Sequence, residues 1–109
     1  MEKLIEMATE LGKALAAHQR TVDLKSAQKA LKDDKQASEL LDSYHKQAER
    51  ITNLEKEQKP IEVDDKHKLR DIEMQLSSNE ILKSMTKRQV DFVEMMNKVK
   101  TAIDSQLDI

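Results

Sequence analysis

The sequence predicts an all-α protein, an antiparallel bundle of four to five helices, and three observations support this prediction. The 109 residues include one Gly and one Pro, so residues that form turns are almost absent. Leu, Lys, Glu, Gln, Ala and Met are plentiful, and these residue types favour helices over strands. Apolar residues recur three and four positions apart, which aligns them on one face of a helix.

Two long helices, at about residues 33–57 and 78–106, are expected to dominate the bundle. The first carries a regular apolar face formed by Ala37, Leu41, Tyr44, Ala48 and Ile51. Asp33 and Gln36 have the spacing of a capping box, in which the first side chain accepts a hydrogen bond from a backbone N–H without a helical partner. A polar stretch ends at Pro60, whose ring disfavours helix in the preceding residue, so we expect a loop there.

Two further helices are predicted before residue 33. The first has an apolar stripe made of Leu4, Ala8, Leu11 and Leu15. Gly12 beside this stripe costs about 1 kcal/mol relative to Ala, which indicates that a neighbouring helix approaches closely. The next apolar set lies about half a turn away at ~100° per residue, and it consists of Leu24, Ala27 and Leu31. A break near His18 to Thr21 is therefore expected, with His18 capping the end of the first helix and Thr21 as the N-cap of the second.

Two helices are also predicted after the loop. A shorter one at about Asp64 to Leu76 has an inner face of Leu69, Ile72 and Leu76. Ser77 and Glu80 have capping-box spacing and mark the start of the last helix. The face of this helix is formed by Leu82, Met85, Gln89, Phe92, Met96, Val99 and Ile103, and it is widened by Ile81, Val93 and Met95.

Composition limits the classes of function that this chain serves. One domain over residues 1–109 is the expectation for this length. The net charge is −2 with both signs interspersed, so we expect no direct binding to nucleic acid. There is no signal-peptide pattern and no run of ~18 apolar residues that a membrane span requires, so the expected location is the cytoplasm.

Residue types that carry chemistry are scarce, so we expect no enzymatic activity, no cofactor and no metal. The chain has no Cys, no Gly-rich phosphate loop and no nucleophile motif. Two Asp-x-x-His pairs, Asp42 with His45 and Asp64 with His67, have the spacing of helical metal ligands. Their helical phase places them away from the apolar faces, which favours surface residues over ligands.

The last helix predicts self-association. Its apolar arc is wider than the ~100° that packing against one neighbour requires, and a short chain with 2% aromatic residues has little else to cover it. Met85 and Met96 are in phase with the face and are assigned to the core. Met95 is out of phase and Val93 flanks the face, so these two are the candidate partner-binding residues of a homodimer or larger assembly.

The pattern of the chain resembles the YlbF/YmcA family of small bacterial regulators. The residues that carry the resemblance extend over nearly the whole chain: Leu11-Gly12 with Leu15; Ala27, Leu31 and Asp34; Ala37, Leu40-Leu41 and Tyr44; Lys59-Pro60-Ile61; Leu69 and Leu76; Asn79 and Leu82; and Phe92, Met96, Val99 and Ile103. The resemblance implies an all-helical, usually homo-oligomeric protein without catalytic residues.

The resemblance also implies a regulatory or accessory role through protein–protein contacts. Several family members regulate competence, sporulation or biofilm formation, and some belong to a complex that adjusts messenger RNA processing by a ribonuclease. Some of those complexes hold iron–sulfur clusters on cysteines, a property that does not carry over to a chain without Cys. Two alternatives remain open here: a free-standing coiled-coil or chaperone-like adaptor, and a metal-binding helical bundle.

Overall fold

The computed structural model describes all residues from Met1 to Ile109 and confirms the prediction of an all-α helical bundle. Its five helices are α1 (Glu2–Ala17), α2 (Gln19–Asp33), α3 (Lys35–Lys56), α4 (Val63–Ser78) and α5 (Glu80–Leu107). No helix is both long enough and apolar enough to cross a membrane.

The chain divides into two compact units. One, here the α3–α4 unit, is Ala30–Ser84, and the other, here the terminal unit, combines Met1–Lys29 with Met85–Ile109. The helices α2 and α5 each contribute to both units. The expectation of one domain over residues 1–109 stays a prediction beside this division.

The α3–α4 unit buries apolar side chains between its helices. Ala37 of α3 is completely buried, and Ile72 of α4 and Leu82 of α5 are also buried. Ile72 is the centre of the predicted inner face of α4, and its neighbours Leu69 and Leu76 on that face are half-buried. The three-and-four spacing of these residues therefore brings them to one side of the helix, as the sequence predicts.

The helix ends differ by one or two residues from the predicted caps. Asp34 caps α3 instead of Asp33, since its carboxylate accepts from the backbone N–H of Ala37 at 2.8 Å. At the start of α5, Asn79 Oδ1 accepts from the backbone N–H of Leu82 at 3.0 Å. Ser77 donates back to the carbonyl of Met74, so its predicted capping role is wrong.

The end of α3 has a Schellman arrangement without glycine. The backbone N–H of Lys59 donates to the carbonyl of Leu54 at 2.9 Å, and that of Gln58 donates to the carbonyl of Glu55 at 3.1 Å. Gln58 has φ of 56°, a left-handed conformation that glycine adopts more easily. This turn leads into the predicted loop at Pro60.

The terminal unit contains the predicted break between α1 and α2. His18 is extended, with φ of −65° and ψ of 144°. It is the C-cap residue of α1, as predicted, because its backbone N–H donates to the carbonyl of Leu15 at 3.2 Å. Its imidazole is turned to the next helix, where Nδ1 accepts from the backbone N–H of Arg20 at 3.1 Å. Thr21 lies inside α2 and is buried, and its hydroxyl donates to the carbonyl of Leu15 at 2.6 Å. The prediction of Thr21 as the N-cap is therefore wrong.

Candidate interaction surfaces

The part of α5 that belongs to the terminal unit has one packed face. Met95 is 8% exposed there, and Phe92 and Val99 are half-buried. Arg20 from α2 reaches this helix, because its guanidinium donates to the carbonyl of Asp91 at 2.9 Å. Arg88 lies 3.5 Å from Asp23 and adds a second polar link between α2 and α5.

The outer face of α5 is a mixed apolar and polar surface. Val90 and Val93 are 60% and 54% exposed. A shallow, open depression on this face is lined by Val90, Val93, Glu94, Asn97, Lys98 and Thr101. Apolar side chains surrounded by polar ones in this way are typical of protein-binding surfaces.

Glu94 supplies the fixed charge at this depression. Lys98 contacts it at 3.1 Å and Arg20 at 3.8 Å. The hydrogen bond from Lys98, with a smaller contribution from Arg20, lowers the pKa of the Glu94 carboxyl, which therefore remains ionised at neutral pH. A partner at this surface meets a carboxylate and two cations beside two exposed valines.

The two adjacent methionines of α5 have the reverse of the expected exposures. Met95, predicted to face a partner, is buried within the chain, whereas Met96, predicted to be in the core, is 39% exposed. The reason lies in the length of α5, whose first turns bury Leu82 while its later turns bury Met95. These residues lie about 140° apart around the helix at ~100° per residue, so one straight stripe does not describe both parts.

The face of α1 is the second exposed apolar surface. Leu4 and Ile5 are 64% and 58% exposed, Met7 and Leu11 are exposed as well, and Leu15 is half-buried. No residue of α1 is buried, although its apolar stripe is the one that the sequence predicts.

Gly12 lies at the edge of this face without a neighbour. A Cβ added to it would meet no atom within 4 Å beyond the adjacent backbone of α1 itself. The expectation that another helix of the chain approaches closely at Gly12 is therefore wrong. Glycine at this position leaves open space beside the apolar stripe of α1.

The best-organised polar cluster belongs to the α3–α4 unit and serves its packing. Gln47 is 4% exposed, and its amide donates to the backbone carbonyl of Asp65 at 2.9 Å. Arg50 Nε donates to Asp65 Oδ1 at 3.0 Å, and this bond is the main cause of a lowered pKa of the Asp65 carboxyl. Asp65 Oδ2 is buried without a hydrogen-bond partner. All three residues link α3 to the first turn of α4.

The Asp-x-x-His pairs are placed apart from one another on exposed helix surfaces. Asp42 contacts Lys46 at 2.9 Å, and that contact raises the pKa of Lys46. His45, Asp64 and His67 are exposed. No group of three or more His, Asp or Glu side chains has a geometry that could hold a metal ion.

Comparison with known proteins identifies the family. The model of the family described as "Control of competence regulator ComK, YlbF/YmcA" matches residues 4–108. The chain belongs to the YlbF/YmcA family. A search of curated proteins finds no match to this sequence. Among solved structures, Bacillus subtilis RicA, crystallised in complex with RicF, is similar with a TM-score of 0.86. That match has 17% sequence identity and covers 97% of this chain and 94% of RicA, so it supports the fold.

The residues that carry the YlbF/YmcA resemblance are mostly structural. Ala27, Ala37 and Leu82 are buried, and Asp34 and Asn79 cap helices. The exposed valines of α5 lie outside that set of residues. Family membership therefore accounts for the fold of the chain, while the candidate surfaces are identified by the exposure of side chains, a property that helical spacing alone does not give.

Proposed function

We propose that this chain is a non-enzymatic regulatory or accessory protein that acts in the cytoplasm by binding other proteins. The proposal includes self-association into a homodimer or larger assembly. One observation carries it: the terminal unit exposes large apolar side chains on α1 and α5 while polar residues such as Thr21 are buried. Exposed apolar area of this kind favours association, because binding removes it from water.

The outer face of α5 is the proposed site for a protein partner. Val93, a predicted partner-binding residue, contributes its exposed side chain there together with Val90. Met95 supports this site from beneath, since its buried side chain holds α5 in the terminal unit. RicA was crystallised with another protein, RicF, and this adds support for a function through protein contacts.

A substitution on α5 tests this site. Val93→Glu places a charge on the exposed face without entering the core, whereas a charge at the buried Met95 would disturb folding. Val63→Glu is the matched control, because Val63 is also exposed but lies in the first turn of α4, where an acidic residue is well tolerated. The measurement is affinity capture from the native host with each tagged variant, followed by mass spectrometry.

We expect wild-type protein and Val63→Glu to retain the same partner proteins and Val93→Glu to lose them. Equal capture by all three proteins would reject α5 as the binding site. Failure of the wild-type chain to retain any protein would reject the function itself.

A finer proposal is that the partners form a complex that modulates RNA processing or development. The resemblance to the YlbF/YmcA family supports this role, and the interspersed charges of the chain do not favour direct binding to RNA. Mapping of transcript ends in cells that lack this chain tests it. Altered cleavage products are expected, and unchanged transcript ends would remove RNA processing from the proposal.

A further inference from the structure

We propose that the apolar face of α1 pairs with the same face of a second copy of this chain, with the two α1 helices antiparallel. This inference rests on the proposed function, for which it names the partner of one surface. The face consists of Leu4, Ala8, Leu11 and Leu15, flanked by Ile5, Met7, Gly12 and Ala14.

The chemistry of α1 separates it from the outer face of α5. At ~100° per residue, all five charged residues of α1 lie on the side opposite its apolar stripe, namely Glu2, Lys3, Glu6, Glu10 and Lys13. Association through this stripe buries no charge. The depression on α5, by contrast, includes Glu94 and Lys98 among its lining residues. Interfaces between identical subunits are more apolar than those between proteins that also exist apart, so α1 suits a second copy.

The order of large and small residues selects the antiparallel direction. When Leu4 lies opposite Leu15 of the second copy, Ala8 lies opposite Leu11, and the small residue of each copy is matched by a large one. In a parallel pair Ala8 would face Ala8, which would leave a gap in the middle of the seam. Antiparallel helices also place their dipoles in opposite directions, which is the favourable arrangement.

The flanks of the stripe match in the same register. Ile5 lies beside Gly12 of the second copy, and Met7 lies beside Ala14, so a large side chain meets a small one on both sides. The open space at Gly12 within the chain is thereby filled, since no other helix of the chain lies within 4 Å of its Cβ position. The two-fold axis passes between residues 9 and 10 of both helices.

Cysteine cross-linking tests this register directly, because the chain has no Cys of its own. Leu4→Cys and Leu15→Cys are prepared separately and oxidised alone or as an equal mixture. In the antiparallel pair residue 4 of one copy meets residue 15 of the other, whereas the two residues 4 are separated by eleven residues, about 16 Å along the helix. A disulfide requires Cα atoms within about 7 Å, so only the mixture is expected to cross-link.

A second pair of variants tests the surface independently of the register. Ala8→Lys places a charge in the seam, and Ala17→Lys makes the same change on the opposite side of α1, where it is exposed and favourable near the helix end. We expect Ala8→Lys to raise the dimer dissociation constant by about tenfold or more, because the ammonium group would lose water, and Ala17→Lys to leave it unchanged. Light scattering at about 1–100 µM protein measures both.

Several outcomes would overturn the inference. These are a wild-type monomer at about 100 µM, a dimer that Ala8→Lys does not weaken, cross-linking of Leu4→Cys alone, and no cross-linking in the mixture. A different result would reject the proposed function, namely failure of the wild-type protein to capture any partner protein. A monomeric chain whose partner capture still depends on Val93 would refute the α1 pairing and leave the binding of other proteins in place.

Discussion

The α3–α4 unit and the terminal unit are built from the same residue types but use them differently. In the α3–α4 unit, Ala37, Ile72 and Leu82 are buried and Gln47 links two helices through a hydrogen bond. In the terminal unit, α1 has an equally regular apolar stripe, yet none of its residues is buried. Amphipathic spacing therefore predicts a helix face that will be covered, but not whether the cover comes from the same chain.

The largest expected difference between the units comes from the same truncation of isoleucine made in both. Ile72→Ala removes buried methyl groups and should lower the free energy of unfolding by about 2–4 kcal/mol, since the change leaves a cavity. Ile103→Ala on the half-exposed part of α5 should change it by less than about 0.5 kcal/mol. Chemical denaturation of dilute protein compares the two variants. Equal losses would contradict the difference in packing between the two regions.

A smaller effect is expected at the polar link between α3 and α4. Gln47→Ala removes the donor to the Asp65 carbonyl and should cost about 1–2 kcal/mol. Gln36→Ala, at an exposed position of the same helix, is the matched control and should be close to neutral. Urea denaturation monitored by circular dichroism measures the difference, and a neutral Gln47→Ala would show that this bond adds nothing to stability.

Substitution of Gly12 should stabilise its helix, whereas the substitutions at Ile72 and Gln47 should destabilise the protein. Gly12→Ala raises helix propensity by about 1 kcal/mol and meets no atom within the chain, so α1 should become more helical in dilute monomer. Slower amide hydrogen exchange across Glu2–Ala17 is the expected readout. Faster exchange there would reveal a neighbour that the added methyl group disturbs.

The smallest expected effect is the contribution of Asp65 to the pH dependence of the free energy of unfolding. Arg50 lowers the pKa of the Asp65 carboxyl in the folded chain. At any pH between this lowered pKa and the unfolded pKa of about 3.9, the unfolded chain therefore binds more protons than the folded chain. The contribution of Asp65 to stability is therefore present above about pH 4 and is lost as pH falls through the folded pKa. The stability difference between wild type and Asp65→Asn should shrink as the pH is lowered through this range. Denaturation curves with an unchanged difference would contradict this assignment.

The sequence predicted the helices well because their spacing repeats over many residues. The caps were less predictable, since Asp33 and Asp34 are adjacent and both have suitable side chains, and only the fold selects Asp34. The left-handed Gln58 carries no glycine signal at all. Each of these differences concerns one or two residues at the end of a helix.

The candidate surfaces were less predictable than the helices for a different reason. Met95 and Met96 differ by ~100° around α5, so a small change in the direction of packing exchanges the buried and the exposed side chain. Val93 was identified as a candidate because it flanks the stripe, and it is exposed. The exposure of α1 could not be read from its spacing, since covered and uncovered amphipathic helices have the same pattern.

The lack of buried residues in α1 has a consequence for the lifetime of the protein. A helix of 16 residues without a buried side chain opens readily, because little apolar burial opposes its fraying. Proteases cleave such opened segments, so copies that have not assembled are expected to be degraded faster than assembled ones. The abundance of the chain would then follow the supply of its binding partners, and excess subunits would be removed through the same surface that assembly protects.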